Sequence, residues 1–277
     1  MQNKDSSFEQ KIDKSKDAEI KMDVKPIYER ESDKAVQKLL DKVAIITGGD
    51  SGIGKAVAIH FAREGADIVI VYFEESDEDA INTQKMVEER GRSAILIKKD
   101  ISQEKNCIEI VDETIAHFGK LDILINNAAV QYPQDNIEDI SEEQLTKTFR
   151  TNIFSMFFLT KAALKYLKEG SSIINTSSVV AYRGNGMLLD YASTKGAIIS
   201  FTRSLACSLA SKKIRVNSVA PGPVWTPLVS STFTDADPRS FGQPAEVATC
   251  FVFLAAESGS LITGQTIHPN GGDFITS

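Results

Sequence analysis

Short apolar segments alternate with amphipathic segments along most of this chain. From Lys42 onward, runs rich in β-branched residues are separated by stretches whose apolar residues recur at helical spacing. Continuous apolar strands of this kind are typical of a parallel sheet that helices cover on both faces. The pattern therefore predicts an α/β fold with one doubly wound parallel sheet of about seven strands. Strands are predicted at 43–47, 67–73, 94–98, 121–126, 171–177 and 214–220.

A glycine-rich turn follows the first predicted strand. In "TGGDSGIG", Gly48, Gly52 and Gly54 lie between a strand and a helix. Glycines there permit a tight turn and let the backbone approach a pyrophosphate at the N-terminus of the helix. The spacing is G-x-x-x-G-x-G and not the more usual G-x-G-x-x-G. A glycine-rich turn without a ligand is the alternative interpretation.

Polar or small residues also end the later strands, and ligands of doubly wound sheets bind at that edge. Asp100 follows the third strand, where it can accept a hydrogen bond from an adenine amino group or simply begin a helix. "INNAAV" ends the fourth strand, "NTSSVVAY" the fifth and "NSVAPGPVWTPL" the sixth. The last of these predicts a Pro-Gly turn and then a loop, residues 225–242, that shapes the substrate pocket.

The composition changes near residue 42. Residues 1–42 carry ten Lys or Arg and ten Asp or Glu, which excludes a signal peptide, a transit peptide and a basic nucleic-acid arm. We expect residues 1 to about 25 to be disordered or loosely draped, and 26–42 to pack on the domain formed by 43–277.

The charge and the cysteines exclude several classes of partner. The 277 residues carry a net charge of −7, which argues against nucleic acid or an anionic membrane as the main partner. No apolar run approaches the roughly 18 residues of a membrane span. The three cysteines and three histidines are scattered along the chain. We therefore expect no metal site and a reducing, cytoplasmic location.

One helical segment opens with an unusual pair. Tyr191 and Lys195 lie four residues apart in "DYASTKGAIISF" and therefore share one face of a helix that is otherwise mostly apolar. A lysine that snorkels past a tyrosine at a helix end would give the same pattern. The pair alone does not decide between packing and catalysis.

Five motifs together resemble the short-chain dehydrogenase/reductase family over roughly residues 40–277. They are "TGGDSGIG", "NNAA", a serine 13 residues before Tyr191, "YASTK" and "NSVAPGPVWT", in that order. The charged N-terminal extension resembles that of a bacterial subgroup with general-stress and aldehyde-reductase-like members. Ala129 and Thr194 depart from the commoner glycine and serine of the family. The resemblance implies a Rossmann domain that binds NAD or NADP and a small alcohol or carbonyl substrate.

The resemblance also implies a catalytic set of Asn152, Ser178, Tyr191 and Lys195. Tyr191 would exchange a proton with the substrate oxygen, and Lys195 with the oxidised nicotinamide would lower the phenol pKa from its reference of about 10. Lys195 would also hold the nicotinamide ribose. Ser178, preferred to its neighbour Ser177, would bind the substrate oxygen. Asn152 would hold a water that joins Lys195 to solvent, with a capping or core asparagine as the alternative.

The end of the second strand bears on the choice of cofactor. NAD is expected, with NADP as the alternative, because Glu74 and Glu75 would repel a 2′-phosphate. The arginine expected for that phosphate is missing there, and positions 50 and 51 hold no basic residue either. The residues expected to bind the cofactor are Gly48, Asp50, Ser51, Gly52, Ile53, Gly54, Tyr72, Asp100, Ile101, Asn127, Ala128, Ala129, Thr176, Tyr191, Lys195, Pro221, Gly222, Val224 and Thr226.

The leading interpretation is an oxidoreductase that transfers a hydride between a nicotinamide cofactor and a small alcohol or carbonyl compound. The alternative is a non-catalytic nucleotide-binding or regulatory protein of the same fold. We also expect a homotetramer, because the helix that carries Tyr191 and the preceding helix, 149–167, are apolar on more than one face.

Overall fold

The computed structural model describes residues 19, 22, 24–30, 34–73, 76–232 and 237–275. Within them, parallel strands form a single 7-stranded sheet in the order β3-β2-β1-β4-β5-β6-β7. The strands are β1 Val43–Thr47, β2 Asp67–Tyr72, β3 Ala94–Lys98, β4 Ile123–Asn126, β5 Ser172–Thr176, β6 Arg215–Val219 and β7 Thr266–Ile267. The doubly wound parallel sheet expected from the sequence is confirmed.

The strand order reverses its direction at β1, which pairs with β2 on one side and with β4 on the other. Ile45 is opposite Val69 of β2 and opposite Leu124 of β4. Because successive crossovers leave β1 in opposite directions, a crevice opens between the carboxyl ends of β1 and β4. This crevice is where a doubly wound sheet binds its ligand.

Helices cover both faces of the sheet. They are α1 Gly52–Arg63, α2 Asp77–Glu88, α3 Glu104–Phe118, α4 Glu142–Phe149, α5 Ser155–Ala163, α6 Val180–Arg183, α7 Leu189–Leu209, α8 Pro227–Thr232 and α9 Pro244–Ala255. Phe61 and Phe251 bring α1 and α9 into the core on one face. Val111, Leu159 and Leu209 bring α3, α5 and α7 into the core on the other face.

A π-helical turn, Arg150–Phe154, joins α4 to α5. This turn is relevant to the site because it contains the expected catalytic residue Asn152. Residues 24–30 lie against α1 and the start of α9, and Ala245 N–H donates to the Ile27 carbonyl oxygen over 3.0 Å. Of the segment expected to be disordered, residues 1–18 lie outside the described residues.

Two classes of feature are absent from the described part of the chain. It contains no helix that combines the length and apolar character needed to cross a membrane. It also contains no group of three or more His, Cys, Asp or Glu side chains able to hold a metal ion.

Candidate active site

A cleft of about 1680 Å³ opens at the carboxyl edge of the sheet. The cleft is lined by the expected catalytic and cofactor residues with two exceptions, Gly54 and Asn152. Since these residues come from the ends of β1 to β6 and from α7, the fold brings together groups that are far apart in the sequence. The geometry around each one shows what it can contribute.

The glycine turn gives the backbone close access to the floor of the cleft. Gly48 and Gly52 have φ of +63° and +52°, a conformation that favours glycine. At Gly54 an added Cβ would lie 1.9 Å from the Gly48 carbonyl oxygen, so no side chain fits there. The N-cap residue Ser51 makes no side-chain hydrogen bond to the first turn of α1. This turn and the uncapped helix N-terminus fit a pyrophosphate.

Asn127 links the ends of three strands beside this turn. Its backbone N–H donates to Thr47 Oγ1 over 2.9 Å, and its side-chain amide donates to the Thr47 carbonyl over 3.1 Å. Thr176 Oγ1 donates to Asn127 Oδ1 over 3.3 Å. The asparagine therefore fixes the separation of β1, β4 and β5, while the adjacent Ala128 and Ala129 leave space along the cleft wall.

Two polar residues line the cleft where β2 and β3 end. Asp100 accepts hydrogen bonds from the backbone N–H and the hydroxyl of Ser102, both over 2.8 Å. Tyr72 ends β2 and donates to Asp77 Oδ1 over 2.8 Å. Burial, then its bond to Asp77, raises the pKa of Tyr72 to about 12. Glu74 and Glu75, on which the expectation of NAD depends, lie outside the described residues.

Tyr191, Ser178 and Lys195 meet on the opposite wall. The Ser178 hydroxyl hydrogen-bonds Tyr191 Oη, which lowers the pKa of Tyr191, but burial outweighs this bond and raises that pKa to about 12. Lys195 Nζ donates to the Thr176 carbonyl over 2.9 Å and lies 5.1 Å from the centroid of the Tyr191 ring. Burial lowers the pKa of Lys195 to about 7. In the protein alone, burial therefore opposes the lowered tyrosine pKa that we expected.

The two neighbouring serines face different partners. Ser177 Oγ donates to the Lys195 carbonyl over 2.9 Å and is buried against α7. Ser178 Oγ faces Tyr191 Oη and accepts from the Val180 N–H over 3.3 Å. Both serines line the cleft, but the Ser177 hydroxyl is held by α7 while that of Ser178 is directed at Tyr191.

Asn152 is fully buried in the π turn behind the cleft. Its Oδ1 accepts from the Val130 N–H over 2.8 Å, and its Nδ2 donates to the Val130 carbonyl over 2.9 Å and to Thr194 Oγ1 over 3.2 Å. These bonds support the core interpretation of Asn152 and hold the segment after β4 in place. Thr194, which departs from the usual family serine, also donates to the Tyr191 carbonyl over 2.7 Å.

A buried polar group next to Tyr191 was not identified from the sequence. Asp190 accepts from the Tyr191 N–H over 2.8 Å, from Gln144 Nε2 over 3.1 Å and from Thr148 Oγ1 over 2.7 Å. Gln144 Oε1 in turn accepts from Gln134 Nε2 over 2.6 Å, on the cleft wall. An acid directly before Tyr191 was the only signal in the sequence, because its partners lie on a distant helix.

The loop expected to shape the substrate pocket does lie along the cleft. Gln131 Nε2 donates to Thr232 Oγ1 over 2.9 Å and so ties α8 to the segment after β4. Trp225 and Phe241 pack with ring centroids 5.6 Å apart, and Phe241 lines the cleft. Residues 233–236 of this loop lie outside the described residues.

Comparisons with known proteins point to one family. A family model described as enoyl-(acyl carrier protein) reductase matches residues 48–273. The uncharacterised oxidoreductase YhdF of Bacillus subtilis is 54% identical over 274 residues, which cover 96% of this chain and 94% of that protein. The chloroplastic NADPH-dependent aldehyde reductase 1 of Arabidopsis thaliana is 49% identical over 271 residues, with 92% and 94% covered.

A solved structure agrees with these sequence matches. A short-chain dehydrogenase from Burkholderia cenocepacia, in complex with NADP, aligns with a TM-score of 0.79 and 32% identity over 85% of this chain and 98% of that one. The chain therefore belongs to the short-chain dehydrogenase/reductase family.

Proposed function

We propose that this chain interconverts a small alcohol and the corresponding carbonyl compound with a nicotinamide cofactor, and that the Tyr191 hydroxyl is the acid/base. The proposal rests mainly on one observation. Tyr191, Ser178 and Lys195 are grouped on one wall of the cleft whose floor is the glycine turn. A dinucleotide on that turn would extend along the cleft toward Tyr191.

The cofactor would supply the hydride chemistry when bound. The N-terminus of α1 would hold its pyrophosphate, and Asn127, Ala128 and Ala129 would border its ribose. Lys195 would contact the ribose of the nicotinamide half. The absence of a side-chain cap at Ser51 and the absence of space for a side chain at Gly54 support this fit.

Proton transfer would take place at Tyr191 Oη. During reduction the phenol donates its proton to the substrate oxygen, and during oxidation it accepts the proton from the substrate hydroxyl. Ser178 donates a hydrogen bond to that oxygen as negative charge develops on it. Lys195, with a pKa near 7, is suited to return a proton to Tyr191 at neutral pH.

Turnover measured over a panel of aldehydes, ketones and polyols, with NAD(H) and NADP(H) in both directions, tests the proposal. Cofactor-dependent turnover of any member supports it. Binding of a nicotinamide cofactor without turnover across the panel would favour the non-catalytic alternative instead. The aldehyde reductase of Arabidopsis suggests aldehydes as the first compounds to assay.

Calorimetry addresses the choice between NAD and NADP. Our expectation of NAD depends on Glu74 and Glu75, whereas one relative is named NADPH-dependent and the Burkholderia structure holds NADP. Tighter binding of NAD than of NADP would support a repulsive role for the two glutamates. Tighter binding of NADP would refute that role while leaving the proposed reaction intact.

We also propose that four copies assemble. The apolar residues of 149–167 are partly buried and partly exposed in the structure. Ile153 and Met156 pack inward against Ile198 of α7. Phe157 is 53% exposed and its ring centroid lies 4.5 Å from that of Phe201. This exposed aromatic pair on α5 and α7 supports a two-fold contact between the same helices of two copies.

A further inference from the structure

The segment before β1 contacts the loops that enclose the cleft. Trp225 Nε1–H donates to the Val24 carbonyl over 2.8 Å. The Ile27 N–H donates to Gln243 Oε1 over 2.9 Å. Trp225 lies directly before Thr226, which lines the cleft. Residues 24–27 therefore hold the start of the loop that covers the cleft.

The next residues of this segment attach to the outer surface of α1. Tyr28 O accepts a hydrogen bond from His60 Nε2 over 3.1 Å. Glu29 forms ion pairs with Arg63, over 2.9 Å, and with Arg90. These contacts lie at the end of α1 that is distant from the glycine turn, so Glu29 provides a comparison for the residue considered next.

Glu19 forms a buried ion pair with Lys55, immediately after the glycine turn. Glu19 Oε1 and Lys55 Nζ are 2.6 Å apart, and the two residues are only 6% and 3% exposed. Lys55 Nζ also donates to Asn82 Oδ1 over 3.0 Å and lies 4.7 Å from the centroid of the Tyr28 ring. Three partners thus hold the ammonium, and Lys55 is not among the residues that line the cleft.

The same cluster reaches the floor of the cleft through Asp50. Asp50 lines the cleft, and its carbonyl oxygen accepts from Thr83 Oγ1 over 2.9 Å, directly after the Asn82 that binds Lys55. Burial raises the pKa of Asp50 to about 6; the charge of Glu19 raises this pKa further and that of Lys55 lowers it. After burial and Asp77, the charge of Asp50 also contributes to the raised pKa of Tyr72, at the end of β2. In doubly wound folds the end of this strand meets the 2′ position of the adenosine ribose. The Glu19–Lys55 pair therefore lies behind the part of the site that distinguishes NAD from NADP.

We propose that Glu19 sets the selectivity of the site against the 2′-phosphate of NADP, by neutralising Lys55 behind Asp50. The inference rests on the proposed function, since it requires that a nicotinamide dinucleotide binds in the cleft. A 2′-phosphate brings about two negative charges that NAD lacks. While Glu19 is paired with Lys55, the Lys55 ammonium contributes little net attraction to those charges.

Removing the Glu19 charge should release the Lys55 charge toward the ribose. Charges separated by one or two side chains in a partly buried site interact strongly enough to change an affinity about fivefold to tenfold. NAD would be affected much less, because it has no charge at the 2′ position. The quantity to measure is therefore the ratio of the two affinities rather than either one.

The experiment is calorimetric titration of the full chain with NAD and with NADP. We expect Glu19→Gln to raise the affinity for NADP relative to NAD about fivefold to tenfold over the unmodified protein. In the double variant Glu19→Gln with Lys55→Met, the ratio should return to within twofold of the unmodified value. Glu29→Gln, which also removes one acid from the same segment, is the matched control and should leave the ratio unchanged.

An unchanged ratio in Glu19→Gln, or a rise that persists without Lys55, would overturn the inference. If Glu19→Gln does not fold, Glu19→Asp replaces it, because the shorter acid weakens the pair with Lys55 and should shift the affinity ratio in the same direction. An unchanged ratio in Glu19→Asp would also overturn the inference. Failure of the unmodified protein to bind either dinucleotide would instead refute the proposed function.

Discussion

Lys195 Nζ lies 5.1 Å from the centroid of the Tyr191 ring, while its hydrogen bond runs to the carbonyl oxygen of Thr176. The lysine ammonium therefore lies beside the phenol ring, and the backbone of β5 holds it in position. Both side chains are buried, Lys195 at 1% and Tyr191 at 9% exposure. Burial disfavours the charged form of each, so it raises the tyrosine pKa and lowers the lysine pKa.

Tyr191→Phe tests the acid/base assignment. The variant keeps the ring and loses only the hydroxyl, so turnover should fall by at least about 100-fold while cofactor affinity stays nearly unchanged. Steady-state kinetics and calorimetry give the two values. Tyr182→Phe is the control, since Tyr182 packs on His268 and Phe274 away from Tyr191. Near-normal turnover in Tyr191→Phe would contradict the assignment.

Alanine substitutions at the adjacent serines, Ser177 and Ser178, should affect different properties of the protein. Ser178→Ala removes a donor to Tyr191 Oη and to the developing oxyanion, so we expect turnover to fall about 100-fold. The same change removes the bond that lowers the Tyr191 pKa, so an alkaline limb of the pH profile should move upward. Ser177→Ala should mainly reduce the free energy of unfolding, by about 1 kcal/mol, through its lost bond to Lys195 O. A large loss of turnover in Ser177→Ala, with little change in Ser178→Ala, would contradict the assignment of Ser178 to the substrate oxygen.

Lys195→Met should make the protein more stable at neutral pH. The Lys195 pKa is about 7 in the folded protein against 10.5 as its ordinary value, so the unfolded chain binds more protons between these values. Stability contributed by this group therefore rises with pH from about 7 to 10. In urea unfolding at pH 7, Lys195→Met should have a larger free energy of unfolding than the unmodified protein. At pH 9.5 the gap between the two free energies should be smaller. A constant difference between the two proteins would refute the lowered pKa.

Asp190→Asn tests whether the buried group behind Tyr191 is needed. Asp190 accepts from an amide N–H of Gln144 and from a backbone N–H, so an asparagine amide there would face a donor. The free energy of unfolding should fall by about 1–3 kcal/mol. Turnover should fall more than cofactor affinity, because the start of α7 loses its attachment to α4. Asp139→Asn, at an exposed position, should change stability by less than about 0.5 kcal/mol.

The proposed assembly can be tested at the exposed aromatic pair. Light scattering coupled to gel filtration should report about four times the 30.3 kDa chain mass. Phe157→Glu places a charge in the expected contact and should yield a smaller species. Ile137→Glu, at another exposed apolar position, should leave the mass unchanged. A monomer of the unmodified protein would refute the assembly, and a dimer would leave only the helix-pair contact.

The strands, the helices and the type of sheet could largely be predicted from the sequence, because they depend on local patterns of apolar and polar residues. The segment 43–47 was predicted as a strand and is β1, and the glycine turn follows it as expected. Tyr191, Lys195 and Ser178 were placed together through the resemblance to a family. Their pKa values were not predictable, because burial depends on how α7 packs against the rest of the protein.

Contacts between distant residues account for what the sequence did not reveal. Asp190 meets Gln144 across 46 positions of sequence, and Glu19 meets Lys55 across 36. Neither pair has a periodic signal, since each joins a loop or a helix end to a different element. The inward packing of Met156 and the exposure of Phe157 also depended on the helix orientation that the π turn imposes.

The π turn at Arg150–Phe154 also limits how the length of this segment can change during evolution. A π turn amounts to one residue inserted into an α-helix, which shifts the facing of later side chains by about 100°. Deleting Thr151 would restore an uninterrupted helix and keep the chain connected. It would also break the register between Asn152 and Val130, or turn Phe157 from the surface toward the core. Single-residue insertions and deletions should therefore be far less tolerated here than in the loop that follows α8.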